Sequence, residues 1–137
     1  MQVFIENALR GQDLIIMGDG EESLDFTYID DLVSGIRALT LNERAYGEIF
    51  NVTRGGAQKL VDAAEIIKGN FSDISIKFEK RDALNPERGT LDIAKAKSLL
   101  GYSPIYDLSG GLEKYIEWYK SSWFSDKKTE HGAESNE

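Results

Sequence analysis

Apolar positions recur along this chain with two periods, near two and near 3.6 residues, and the switches between them predict the elements. Residues 1–10 carry Val3, Phe4, Ala8 and Leu9 loosely on one side, predicting a helix that Gly11 stops. Leu14, Ile15, Ile16 and Met17 form a continuous apolar run, the pattern of a buried strand. Gly18 and Gly20 flank Asp19, so the chain can reverse there through backbone angles that a Cβ resists. Phe26, Thr27, Tyr28 and Ile29 favour a second extended piece, and Asp30 stands where a side-chain oxygen caps a following helix. Leu32, Val33, Ile36 and Leu39 then fall at helical spacing as far as Leu41 or Asn42.

The second half continues in the same way. The run from Gly47 through Glu48, Ile49, Phe50 and Asn51 to Val52 reads as a turn into a short strand. A loop with Gly55 and Gly56 leads to a helix striped by Leu60, Val61, Ala64 and Ile67, with Gly69 as its left-handed stop. Ile74, Ile76 and Phe78 alternate with polar residues, as a half-buried strand does. Residues 80–88 are charged, contain Pro86, and predict a loop. Asp92 is placed to cap a helix through Leu99 and Leu100, closed by Gly101 with Pro104 beyond. Ser109 is placed to start a last helix, whose Leu112, Tyr115, Ile116 and Tyr119 repeat at i, i+3, i+4 and i+7. From residue 125 onward only Ala133 is apolar. The expectation is therefore one domain over 1–124 and a disordered acidic tail over 125–137. The fold class is α/β, a small mixed sheet with packed helices.

Composition narrows the function classes. At 41% hydrophobic and 29% charged residues, the chain is ordinary for a globular protein. A formal net charge of −8 without a basic stripe argues against nucleic acid or an anionic membrane as partner, while leaving room for a local phosphate pocket. The absence of cysteine excludes disulfides, zinc–thiolate sites and thiol catalysis. No apolar run approaches the ~20 residues of a membrane span. Gln2 and Glu6 interrupt any apolar signal core, so the expected location is cytoplasmic.

Several of these stretches together resemble one family. Gly18-Asp19-Gly20, Leu24-Asp25-Phe26 and Tyr28-Ile29-Asp30-Asp31 are similar to the G-D-G, R-D-F and aromatic-acidic signature of the extended short-chain dehydrogenase/reductases, the nucleotide-sugar epimerases and dehydratases. Gly47-Glu48-Ile49-Phe50-Asn51-Val52 resembles the family's G-E-x-F/Y-N-V/I strand. Asp92 to Lys97 with Leu99 to Pro104 resembles its D-x-x-K-A-x-x-x-L-G-W/Y-x-P block, and Leu108 to Trp118 its closing helix. The resemblance is to the C-terminal, substrate-binding part, and it implies a nucleotide-sugar substrate. It also implies a fold without a complete Rossmann domain.

The family's hydride chemistry needs parts that this chain lacks in sequence. Gly18 and Gly20 give G-x-G, but position 23 is Ser and no helix is predicted to open there. No tyrosine has lysine four residues on: Tyr115 and Tyr119 have Lys120 at the wrong offsets. The family's catalytic Ser/Thr lies upstream of that tyrosine. The expectation is a piece of a larger enzyme, with no catalytic residue and no cofactor site in this chain. NAD belongs to the full-length family, on a missing or separate Rossmann half. A first helix without a capping residue fits such a piece; a native start that frays is the alternative. Severed from its partner, the domain is expected to expose apolar surface and to form a homodimer or dissolve poorly.

The resemblance also assigns binding residues. Backbone groups of Ile15 and Met17 flank the nucleotide base, unless these two residues simply belong to the core. Arg81 and Arg88 match arginines that hold the diphosphate, because a guanidinium fork suits phosphate oxygens. Arg54 is a further, lesser candidate. Leu24 replaces the first expected arginine, and Lys59 replaces a usual helix cap. Asn51 is read as anchoring its strand to neighbouring backbone, and the pair Asp30-Asp31 as helix capping rather than acid–base or metal chemistry. His131 is read as solvated, and Trp118, Tyr119 and Trp123 as sealing the last helix. The rival to substrate binding is a non-catalytic remnant that acts as an interaction module, motivated by Leu24 and Lys59.

Overall fold

A computed structural model describes residues 1–81 and 88–130, with the side chains of 123–130 excluded. Its elements run α1 (Gln2–Leu9), β1 (Leu14–Met17), β2 (Ser23–Leu24), α2 (Ile29–Thr40), β3 (Gln58–Lys59), α3 (Leu60–Gly69), β4 (Ile76–Glu79), α4 (Ala94–Leu100) and α5 (Leu108–Glu130). A single 3₁₀ turn, Glu43–Ala45, follows α2. The class is α/β, as the periods predict. The expected mixed sheet takes the form of two separate ribbons, a parallel β1–β4 pair and an antiparallel β2–β3 pair.

The main core forms where α1, α3 and α5 close over one face of β1. Leu14 and Ile16 are fully buried while Ile15 and Met17 are 42% and 44% exposed, so the run is two-faced and the reading of the latter two as core is overturned. Ile5 of α1, Ala64 and Ile67 of α3, and Ile116 of α5 fill the same cluster. Each fully buried aliphatic side chain contributes roughly 1.5–3 kcal/mol relative to exposure. A smaller cluster of Ile93, Ala96 and Tyr102 holds Phe50 and Val52 from the far side of α2. Gly35 permits that contact: a Cβ there would stand 2.2 Å from Val52 Cγ1.

Several expected details change. The second extended piece does not span 26–29; the ribbon is Ser23–Leu24, and 25–28 carry no ladder. Side chains take over there: Asp25 accepts from Gly55 N, and Thr27 Oγ1 accepts from Arg54 N at 3.0 Å. Asp30 is not the cap, since α2 begins at Ile29 with Tyr28 as N-cap and no side-chain bond. The predicted strand to Val52 has no strand partner among the described residues. Gly69 ends inside α3, and Asn70 closes it with φ −95° and ψ 0°, so no left-handed stop is used. Asp107, not Ser109, holds the start of α5: its Oδ1 accepts from Gly110 N at 2.8 Å. Trp118 does not seal α5; it is 58% exposed, whereas Tyr119 is buried and donates to Glu6 Oε1 at 3.0 Å. Gly101 does close α4 in the left-handed region, at φ 66°. The backbone of 125–130 is helical, and 131–137, with His131, lie outside the described residues.

Candidate functional site

Parallel pairing sets where a candidate site can lie. β1 and β4 run in register from Leu14–Ile76 to Met17–Glu79, so their C-terminal ends finish together. Crevices beyond such ends are where open parallel sheets bind ligands. The ladder extends one step further, with Gly18 N donating to Glu79 O at 2.7 Å. That bond places the Gly18-Asp19-Gly20 turn beside the residues leaving β4. Gly18 has φ +107° and Gly20 +80°, angles that favour glycine. The Arg81 stem runs 3.6 Å from the point where a Gly18 Cβ would be. The resulting open crevice, about 560 Å³, is lined by Gly18, Asp19, Phe78, Glu79, Lys80 and Arg81.

The ladder also sets which backbone groups remain available. Leu14 N donates to Ser75 O and Gly18 N to Glu79 O, so alternate residues of β1 face β4. The amide and carbonyl groups of Ile15 and Met17 therefore point to the opposite edge, which no described strand occupies. Flat groups can hydrogen-bond to such an edge.

Charge at the site comes in pairs. Arg81 Nη2 lies 3.8 Å from Glu22 Oε1, and Lys59 Nζ lies 2.6 Å from Glu21 Oε2. The Glu21 carboxylate raises the Lys59 ammonium above its ordinary pKa, first by hydrogen bonding and then by charge. Lys59 is the N-cap of α3 and supplies no capping bond. Leu24 pairs with Gln58 in the ribbon and adds no charge. Of the two arginines expected on phosphate, the structure brings Arg81 to the crevice. Arg88 is exposed, two residues before Thr90, whose hydroxyl accepts from Ala57 N at 2.6 Å. The loop residues between the two arginines lie outside the described set.

Asp25 organises the neighbouring loops. Its carboxylate accepts from Thr53 Oγ1 at 2.9 Å, Gly55 N at 3.2 Å and Leu91 N at 3.3 Å. The sequence shows Asp25 only as part of the Leu24-Asp25-Phe26 match and assigns it no role, because its partners are far away in the chain. Arg54 reaches Tyr106 O through Nη1 at 2.6 Å, while its buried Nε has no hydrogen-bond partner. That contact makes Arg54 a brace of the 106 turn. Asn51 Nδ2 donates to Asp92 O at 2.9 Å, a backbone anchor of the kind expected.

A second cavity of about 340 Å³ lies between Phe26, Tyr28 and the start of α5, walled by Leu108, Leu112 and Tyr115. Burial pushes the Tyr28 hydroxyl above its ordinary pKa. Its lining is mostly apolar, which suits packing and not phosphate. Among the described residues no group of three or more acidic or histidine side chains is arranged to hold a metal ion. No described helix is long and apolar enough to cross a membrane.

Comparison with known proteins finds relatives of the chain and of its fold. Residues 1–53 match the model of the NAD dependent epimerase/dehydratase family. The chain is 36% identical over 133 residues to UDP-glucuronic acid decarboxylase 1 of Xenopus tropicalis, covering 95% of itself and 29% of that protein. Its fold superposes with a TM-score of 0.86 and 30% identity on an epimerase of the methanogen Methanothermobacter thermautotrophicus, covering 92% of this chain and 38% of that one. A UDP-glucuronic acid 4-epimerase of Bacillus cereus, solved with UDP-glucuronic acid and NAD, superposes at 0.77 with 32% identity, covering 86% and 38%. The chain thus spans about a third of the length of the relatives it matches.

Proposed function

We propose that this chain, a partial member of the NAD-dependent epimerase/dehydratase family, is the nucleotide-sugar-binding part of such an enzyme. One observation carries the reading: Arg81 stands against the glycine turn at the joined ends of the parallel pair. There a guanidinium can meet a diphosphate while the backbone of Ile15 and Met17 lies along the base. Arg88, from the far side of the same loop, is assigned to the phosphates as a second cation. The B. cereus relative solved with a UDP-sugar supports the substrate class.

No catalytic group is assigned to the described residues. NAD would supply the hydride chemistry of the family, and we assign its binding to the remaining part of the family fold. Two features of this chain support that division. The Gly18–Gly20 turn leads into β2 and not into a helix N-terminus, so it lacks the dipole end that receives a dinucleotide pyrophosphate. None of its tyrosines carries a lysine at i+4. The chain's own residues bind and orient: Arg81 and Arg88 fix the diphosphate, and Asp25 holds the surrounding loops.

Calorimetric titration of the chain with UDP- and dTDP-sugars and with NAD tests the reading. The expected result is binding of a sugar nucleotide without binding of NAD. Tight NAD binding, or conversion of a UDP-sugar by the chain alone, overturns it. A second reading, an interaction module, is favoured by the exposed apolar stripe Ile29, Val33 and Ile36 on α2. Its partner would be a Rossmann half or a second copy. A folded chain whose melting temperature no sugar nucleotide shifts, but which associates through α2, selects it.

A further inference from the structure

We infer that Glu22 sets the affinity and charge preference of this site, because its carboxylate competes with the ligand for the Arg81 guanidinium. The inference rests on the reading of Arg81 as a phosphate contact and adds an opposing residue to it. Arg81 and Glu22 face each other at 3.8 Å, with side chains only 31% and 20% exposed. Glu22 is held in place: its carbonyl accepts from Leu60 N at 2.9 Å, and Gly20 O accepts from Val61 N at 3.0 Å. The turn is thereby fixed to the start of α3, which keeps the Glu22 backbone beside Arg81. The neighbouring Glu21 engages Lys59 at 2.6 Å in the same manner. One dipeptide thus supplies counter-ions to two cations, next to a Leu24 that carries none.

The charge balance gives the consequence. Among the described residues of the crevice lining, Asp19 and Glu79 offset Lys80 and Arg81, and Glu22 adds one negative charge beside Arg81. An incoming diphosphate must separate Arg81 from Glu22 and then sit beside the displaced carboxylate. Both steps disfavour highly charged ligands, and both weaken as salt screens them.

Titration of the chain with UDP at low and high salt tests this, using Glu22→Gln, Arg81→Ala and the double variant, with melting curves to verify folding. A partly exposed ion pair sets the scale at about two- to five-fold. Glu22→Gln is expected to tighten UDP binding by that factor at low salt, to lose most of the gain at ~0.5 M salt, and to tighten it by less in the Arg81→Ala background, where only the repulsion between Glu22 and the diphosphate is left to remove. Unchanged or weaker binding by Glu22→Gln, while Arg81→Ala weakens it, overturns the inference and leaves the site reading standing. Equal tightening by Glu22→Gln with and without Arg81 likewise overturns the inference alone, whereas an Arg81→Ala chain that binds UDP like the wild type overturns both.

Discussion

Asp31 shows how much one side chain can hold together. It is 2% exposed, and its two carboxylate oxygens accept from Ile105 N at 2.8 Å and Tyr106 N at 3.0 Å. Those are charge-assisted bonds to backbone groups that would otherwise be short of partners beneath α2. Asp31→Ala is therefore expected to cost about 2–4 kcal/mol in urea unfolding, since it leaves two amides unsatisfied. Its exposed neighbour Asp30 should change stability by no more than about 0.5 kcal/mol when replaced by Ala. Equal costs at the two positions would sink this account. In the sequence the two aspartates look alike, two acids at a helix start. The partners of Asp31 lie 74 and 75 residues away, and no local pattern announces them. Asp25 was hidden for the same reason, whereas Gly101 was legible because a helix stop depends on its immediate neighbours.

At the scale of elements, the parallel pair that borders the candidate crevice is latched at its entry by Asp13. The Asp13 carboxylate accepts from Ser75 N at 2.9 Å and meets Lys77 Nζ at 2.6 Å, joining the starts of β1 and β4. The Lys77 hydrogen bond, then the Ser75 amide, hold the Asp13 carboxyl below its ordinary 3.8. A depressed carboxylate pKa stabilises the fold above the unfolded value, and the contribution fades as pH falls through the folded one. The Lys77 ammonium is raised above 10.5, so its share persists through neutral pH and is lost only in strong base. Asp13→Asn should thus melt below the wild type at pH 7, with the gap closing from pH ~4 downward. A gap that stays constant to pH ~2 would show that the charge is not what matters. The latch also marks the limit of pattern reading. Apolar stripes, with the Asp92 start and Gly101 stop signals for α4, identified the five helices among the described residues, because a helix closes its own hydrogen bonds. Strands close theirs on partners elsewhere, so 26–29 and 49–52 read as extended without revealing that neither forms a ladder here. The crevice was legible in part: the glycine turn and Arg81 stood out, but only register could bring them together.

For the whole molecule, α2 is the anomaly. Its inner face, Asp31 and Gly35, packs on the 105 turn, Val52 and Tyr102. Ile29, Val33 and Ile36, spaced at i, i+4 and i+7, form a stripe on the opposite side and are 56%, 53% and 49% exposed. A helix with one packed face and an exposed apolar stripe opposite it suits a place between two layers, and the described residues provide only one. Ile49, 87% exposed on an extended segment without a strand partner, adds to the same deficit. Apolar surface of this kind drives association unless something covers it. The net charge of −8 opposes self-contact, so association should strengthen when salt screens that repulsion. Sedimentation of the purified chain is expected to show concentration-dependent dimers, favoured at ~0.5 M salt over low salt. The double substitution Val33→Glu and Ile36→Glu should return it to a monomer with its melting temperature nearly unchanged, because both side chains already face water. If the wild type sediments as a monomer at every salt and concentration, the stripe is not adhesive in this chain. If the double variant unfolds, the stripe belongs to the core and the two-layer argument for α2 fails.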